Sequence, residues 1–158
     1  MENKIKLLFV CHGNICRSPM AEFIMKKIVK DTGMNSKFEI ASAATSRGEI
    51  GSSVYPGASI ELSKRGISCK GKIARQIRKS DFHYYDKIIV MDNMNLKNIK
   101  PFADNSTIEK VSMLMDYTDT PKEIADPWYT DDFQTTGIEI SRGCEGLFKQ
   151  CVLELSEL

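Results

Sequence analysis

Hydrophobic positions in this chain come in two kinds of run. Short, nearly continuous ones fall at Leu7 to Val10, Phe38 to Ala44, Asp86 to Met91 and Lys110 to Met115, and these have the composition of strands buried on both faces. Between them apolar residues recur at helical spacing. Met20, Phe23, Ile24 and Ile28 follow the first run, and Ile60 and Leu62 lie in the stretch Gly57 to Arg65. Leu96 to Lys100 precedes a break at Pro101, and Ile138, Ile140, Leu147, Phe148, Cys151, Val152 and Leu155 mark a final helix from about Phe133 to Leu158. Gly33 and Gly66 are stops, whereas Gly143 and Gly146 weaken the helix that contains them. Ser46 to Pro56, rich in Ser and Gly, is a loop. Strands alternating with helices give an α/β layer on a mostly parallel sheet, with right-handed crossovers. No linker, repeat or low-complexity tract divides the chain, so residues 1–158 are expected to form one domain.

The first strand ends in unusual chemistry. It stops at Cys11, and the helix after it is expected to restart at Ser18 as N-cap, with Pro19 at the first helical position and Glu22 in the first turn. The intervening loop therefore joins a strand's carboxyl end to a helix's amino end, a junction that binds anions through converging N–H groups and the helix dipole. Cys11 and Arg17 bracket five residues, and Ser18 follows. A thiol among N–H groups, a helix terminus and a guanidinium is favoured as thiolate, the nucleophilic form. Arg17 presents a planar fork to two phosphate oxygens, which a lysine cannot do. Gly13 and Asn14 tolerate the positive φ that a loop curled round an anion needs. A bare Cys-x5-Arg is more often a buried cysteine closing a strand, followed by an ordinary capped helix. The apolar run before it and the Gly-Asn pair inside it favour the phosphate loop.

Ligands of parallel sheets bind beyond the strands' carboxyl ends, and Ser42 and Asp92 fall on that same rim. Cleaving a phosphate ester also needs a proton donor for the departing oxygen. His12 lies within the loop with its side chain free to point away, and His83, in Asp81-Phe-His-Tyr-Tyr85, belongs to an exposed helix end. Asp126, in Ala125-Asp-Pro-Trp-Tyr129, is the better acid: Pro127 keeps it out of helix, and Trp128 and Tyr129 supply an apolar wall beside it. In the basic run Lys70 to Lys79, Arg75 is a candidate anchor for an inner carboxylate, the rest a solvated face.

With 42% hydrophobic and 27% charged residues the chain reads as a soluble globule. A net charge of +1 gives no argument for nucleic acid or a membrane surface as partner. The short apolar stretch at the amino terminus lacks a cleavage site and contains the Cys11 motif itself, so no signal peptide is expected. Five cysteines without a secretory leader imply free thiols in a reducing compartment, the cytoplasm. Their spacing, with only two histidines, offers no metal site, and no cofactor is called for. Cys11 and Cys16 can meet if the loop curls, as a reversible redox pair.

These residues resemble the low-molecular-weight protein tyrosine phosphatase family. The loop Val10-Cys-His-Gly-Asn-Ile-Cys-Arg-Ser-Pro-Met-Ala-Glu22 is close to its signature, and Ser42-Ala-Ala-Thr45, Ala74-Arg-Gln76, Met91-Asp92 and Asp126-Pro-Trp-Tyr129 recur in its order along nearly the whole chain. The resemblance implies a four-stranded twisted parallel sheet flanked by helices on both faces, with the phosphate-binding loop after the first strand. It implies a metal-independent, two-step reaction on phosphotyrosine proteins and small aryl phosphates that passes through a cysteinyl phosphate and releases inorganic phosphate. A monomer is expected. Carried over by position, Cys11 is the nucleophile, Arg17 the phosphate clamp and Asp126 the general acid, then base. The phosphate is held by His12, Gly13, Asn14, Ile15, Cys16, Arg17 and Ser18. Ser18 activates the thiolate, Asn14 and Ser42 hold the loop, and Asp92 supports it. Cys16 is the second loop cysteine, which shields Cys11 from over-oxidation. Trp128 and Tyr129 form the substrate wall, and Tyr129 is the kind of residue kinases modify in relatives.

Some positions depart from the family pattern. Gly48 stands where many members carry an aromatic, leaving the entrance open or lined by Arg47 and Glu49. His12 replaces a small or aliphatic residue, Lys72 a loop-supporting histidine, and Ser53-Val-Tyr-Pro-Gly57 a proline-rich segment. Two other enzymes share the loop. A phosphoarginine phosphatase typically has threonine where this chain has Ile15, and a thiol-dependent arsenate reductase needs relay cysteines, for which Cys144 and Cys151 are poorly placed in a helix. A phosphopeptide-binding module with a dead site would be expected to lack Cys11 or Asp126.

Overall fold

Leu7, Leu8, Phe9 and Val10 are all fully buried, and the strand that carries them, β1 (Ile5–Cys11), lies inside the sheet. In the computed structural model, which describes residues 3–157, β1 pairs on one side with β2 (Phe38–Ala44) and on the other with β3 (Lys87–Val90). β4 (Val111–Met113) closes the sheet beyond β3, giving the order β2-β1-β3-β4 with every pair parallel. This is the four-stranded parallel sheet that the alternating runs and the family resemblance imply.

Alternate residues of β1 feed two cores. Leu7, Phe9 and Cys11 pack with α1 (Arg17–Asp31), α2 (Pro56–Lys64) and α6 (Phe133–Ser156), through side chains such as Met20, Ile24, Leu62, Ile140 and Leu147. Leu8 and Val10 face the other way, with Phe82 of α3 (Lys79–Tyr84) and Ile99 of α4 (Asn93–Ile99). Helices therefore cover both faces, and each buried Leu, Ile or Phe contributes about 1.5–3 kcal/mol. The register puts Cys11 opposite Ala44 and Val10 opposite Val90, so the carboxyl ends of β1, β2 and β3 open on one rim.

Several boundaries differ from the pattern, each for a physical reason. The fourth strand stops at Met113, because Leu114 and Met115 turn into a 3-10 segment (Leu114–Tyr117) and reach full burial there. α4 begins at Asn93, ahead of its first large apolar residue, because Asp92 caps it by accepting the Asn95 N–H at 2.7 Å. Ile60 and Ile138, expected on inward faces, are instead 56% and 49% exposed, while Leu62 and Ile140 go in. α6 runs intact through Gly143 and Gly146. A Cβ at Gly143 would meet Leu114 Cγ at 2.5 Å, and one at Gly146 would meet the Tyr117 carbonyl oxygen at 1.9 Å. The glycines that weaken this helix in isolation let it lie against the 3-10 segment. The helix end expected at Leu158 falls outside the described residues.

Candidate active site

Cys11 closes β1, and α1 starts at Arg17 with Cys16 as its N-cap residue, not at Ser18. The helix thus begins two residues earlier than expected, and Ser18 sits inside the first turn. Its hydroxyl lies 3.0 Å from Cys11 Sγ, and its N–H donates to the same sulfur at 3.4 Å. Glu22, expected as a first-turn charge, lies farther in and has a different task, described below.

The loop is held from outside by its carbonyls. Thr45 N–H donates to the Cys11 carbonyl at 2.9 Å, Ser46 N–H to that of His12 at 3.0 Å and Tyr55 N–H to that of Ile15 at 2.9 Å. With those oxygens engaged, the loop's N–H groups are left to meet an anion, as an oxyanion cradle requires. Asn14 alone in the loop takes a left-handed conformation, φ 59°. Gly13 does not, so the expectation of positive φ holds for Asn14 only.

Asn14 pins that conformation with its whole side chain. Its Nδ2 donates to Ser18 Oγ at 2.8 Å and to Ser42 Oγ at 2.9 Å, and its Oδ1 accepts Arg75 N–H at 3.2 Å. Ser42 Oγ donates onward to Glu22 Oε1 at 2.5 Å. Lys72 Nζ lies 3.3 Å from the same oxygen and donates to the Ser42 carbonyl at 2.9 Å, and Lys26 pairs with Glu22 Oε2 at 2.6 Å. A buried chain of hydrogen bonds therefore runs from the Cys11 thiol through Ser18, Asn14 and Ser42 to Glu22 and its two lysines. Burial pulls the Lys72 ammonium below its ordinary pKa, and Glu22 works against that. Arg75 does anchor an inner carboxylate, contacting both oxygens of the buried Asp81 at 2.9 and 3.1 Å.

The other wall is organised by Arg17, 2% exposed. Its Nη1 donates to Asp92 Oδ2 and to the Ile124 carbonyl, each at 2.7 Å, and Nη2 lies 3.4 Å from Asp126 Oδ2. Nη1 is thus committed to the scaffold, leaving the Nε–Nη2 edge for an anion. Burial lowers the guanidinium's pKa, but negative charge at Cys11 and the hydrogen bond to Asp92, with Asp126, outweigh it and hold it above the ordinary value. Asp126 caps α5 (Pro127–Thr130) by accepting Trp128 N–H at 3.0 Å, which fixes its carboxylate at the rim. Burial first, then negative charge at Cys11, push the Cys16 thiol up to about 12. Cys16 is therefore protonated at neutral pH.

Cys11, His12, Gly13, Ile15, Cys16, Arg17 and Asp126 line a cleft of about 210 Å³, closed by Ser46, Gly48 and Glu49 on one side and Trp128 and Tyr129 on the other. Asn14, Ser18, Ser42 and Asp92 stand behind the cleft and do not line it. The aromatic wall is more open than expected: Trp128 is 52% and Tyr129 83% exposed. Arg47 is exposed and takes no part in the lining, whereas Glu49 does. The sequence reading also missed the Ile124 carbonyl, because a backbone acceptor has no residue-type signal. Cys144 and Cys151, the remaining candidates for a thiol relay, are both fully buried in α6.

A strand-to-helix phosphate cradle with a cysteine beneath it, an arginine fork and an aspartate across the cleft defines the class of cysteine-dependent phosphatases. The model of the family "Low molecular weight phosphotyrosine protein phosphatase" matches residues 6–156, and the chain belongs to that family. It is an enzyme, a hydrolase of phosphate monoesters. The Bacillus subtilis low-molecular-weight protein-tyrosine-phosphatase YfkJ is 36% identical over 145 residues, which cover 90% of this chain and 93% of that one. The human low-molecular-weight phosphotyrosine protein phosphatase is 37% identical over 151 residues, covering 91% and 94%. The crystal structure of YfkJ superposes with a TM-score of 0.93 at 34% identity, over 96% of this chain and 97% of that one. A protein tyrosine phosphatase from Entamoeba histolytica with Hepes in its active site gives a TM-score of 0.89 at 32% identity, over 98% and 100%.

Proposed function

We propose that this protein removes phosphate from phosphotyrosine, in proteins and small aryl phosphates, through a cysteinyl-phosphate intermediate. The observation that carries the reading is the placing of Cys11, the Nε–Nη2 edge of Arg17 and Asp126 around one cleft. The phosphate seats on the N–H groups of the loop from His12 to Arg17 and on the arginine fork, above Cys11 Sγ. The thiolate attacks phosphorus while Asp126 gives its proton to the departing phenol oxygen. Asp126, now a carboxylate, takes a proton from the water that attacks the cysteinyl phosphate, and inorganic phosphate leaves. Ser18 donates a hydrogen bond to the sulfur throughout, and the guanidinium meets the charge that grows on the equatorial oxygens. Ile15 and Trp128 offer apolar surface to a flat leaving group. Cys16, beside Cys11 in the loop, is the partner for a protective disulfide when the nucleophile is oxidised. Tyr129, exposed at the rim, is a phosphorylation site in this reading. The protein acts as a single-domain monomer in the reducing cytoplasm, without metal or cofactor.

The test is hydrolysis of para-nitrophenyl phosphate, then of phosphotyrosine, phosphoserine and phosphoarginine peptides, with chelator and reductant present. Turnover is expected to favour phosphotyrosine. Cys11→Ser is expected to abolish it while keeping affinity for inorganic phosphate. An active serine variant would remove Cys11 as nucleophile, and arsenate reduction without ester hydrolysis would replace the reaction.

A further inference from the structure

Beside the phosphate cleft lies a second, more open groove of about 310 Å³, lined by Ile15, Glu49, Ser52, Ser53, Val54, Tyr55, Pro56 and Trp128. Ile15, Glu49 and Trp128 belong to both, so the groove continues the cleft outward. Of its lining residues only Glu49 carries a carboxyl group, and none is a lysine, arginine or histidine. Glu49 lies against the phosphate loop, its Cγ 3.5 Å from where a Cβ on Gly13 would sit, and Ser52 Oγ donates to its Oε2 at 3.0 Å. Among the described residues no lysine or arginine forms an ion pair with it. A half-buried carboxylate held by a neighbour, and left without a cation at the mouth of an anion site, works against a doubly negative ligand unless it meets a positive charge there.

The far wall suits the same partner. Tyr55 stands edge-on to Trp128 with ring centroids 5.0 Å apart and stacks on Phe133 at 5.8 Å, so the aromatic side is braced from behind. A Cβ on Gly57 would fall 2.5 Å from the Phe133 ring, which shows how closely that support is packed. Aromatic faces attract cations, and the long stem of a lysine or arginine covers apolar surface while its head reaches a carboxylate.

We infer that this groove is a subsite for a cationic side chain next to the phosphotyrosine of a peptide substrate, with Glu49 as its counter-charge and Tyr55 and Trp128 as its wall. The proposal rests on the phosphotyrosine reading above. It makes Glu49 a specificity-determining residue: it favours substrates with Lys or Arg flanking the phosphotyrosine and disfavours those flanked by Asp or Glu.

The experiment measures kcat/KM for phosphotyrosine peptides identical except for Arg, Ala or Glu at the two flanking positions, alongside free phosphotyrosine. The Arg peptide is expected to exceed the Glu peptide by about three- to tenfold, the scale of a half-exposed charge pair with a cation–π contact. That ratio should shrink as salt is raised. In Glu49→Gln it should fall to about one, read as a ratio within the variant whatever its overall rate. The conservative Glu49→Asp is expected to restore part of it. A wild-type ratio near one, or a ratio that survives Glu49→Gln, would overturn the subsite. Failure on free phosphotyrosine itself would overturn the phosphatase reading, and the subsite with it, in an arm of the experiment that does not depend on Glu49.

Discussion

Two cysteines share the phosphate loop, and their surroundings separate them. Cys11 Sγ has Ser18 as donor and Arg17 as counter-charge, while Cys16 is desolvated beside a negative neighbour. Among the described residues Asp126, across the cleft, is the one carboxylate in ion-pair reach of Arg17 Nη2. Asp126→Ala is expected to lower turnover of phenyl phosphate by about 10²–10³-fold, the scale of general acid catalysis, and to affect para-nitrophenyl phosphate much less, because its leaving group needs little protonation. Equal losses on the two esters would take the acid role from Asp126. Behind the loop, Glu22 is 4% exposed and held by two lysines, of which Lys72 is the more buried. Lys72→Met removes one cation and leaves Lys26 in place, so the cost is below that of stranding a buried charge outright. We expect about 1–2 kcal/mol of lost stability in denaturant unfolding, together with a lower kcat from a looser Asn14–Ser42 brace. Unchanged stability would mean that Lys26 alone neutralises Glu22.

Among the elements, α6 and the 3-10 segment Leu114–Tyr117 show how a local weakness becomes a contact. Gly→Ala in a helix ordinarily gains about 1 kcal/mol. At Gly146 the new methyl would fall 1.9 Å from a backbone oxygen that no rotamer change can move. Overpacking against backbone wins by magnitude: Gly146→Ala is expected to cost about 2–3 kcal/mol net and to lower the thermal midpoint by about 5–10 °C. A stabilised variant would mean the two elements are not in close contact. This pairing also marks the limit of what local pattern reveals. The strands, the loop chemistry and Asp126 were legible, because each is written in adjacent residues: an apolar run, Cys-x5-Arg, Asp-Pro-Trp. Legibility fails where a role depends on a partner far along the chain. Arg17 donates to a carbonyl 107 residues away, and Lys72 reaches the Ser42 carbonyl across 30. Helical periodicity likewise misled at Ile60 and Ile138, since it finds a face without saying how wide the covering neighbour is.

At the scale of the whole molecule, the two cores share one four-stranded sheet, so the cleft at its rim depends on both. Leu7 and Phe9 hold β1 from the α1 and α6 side, and Leu8 and Val10 from the α3 and α4 side. No layer can leave without exposing β1, which argues for a single cooperative unit. The cysteines report on this directly. Cys144 and Cys151 are fully buried in α6, and burial pushes both thiols up, that of Cys151 to about 12. Cys69 is half-buried, and Cys11 opens on the cleft. Under native conditions iodoacetamide is therefore expected to modify Cys11 and Cys69 first. Label on Cys144 and Cys151 should appear only through opening of the fold, at a rate that rises with denaturant as steeply as global unfolding does. Labelling of both at low denaturant with a shallow slope, while α1 and the sheet keep their circular dichroism, would show instead that α6 detaches alone and that the two cores are separable.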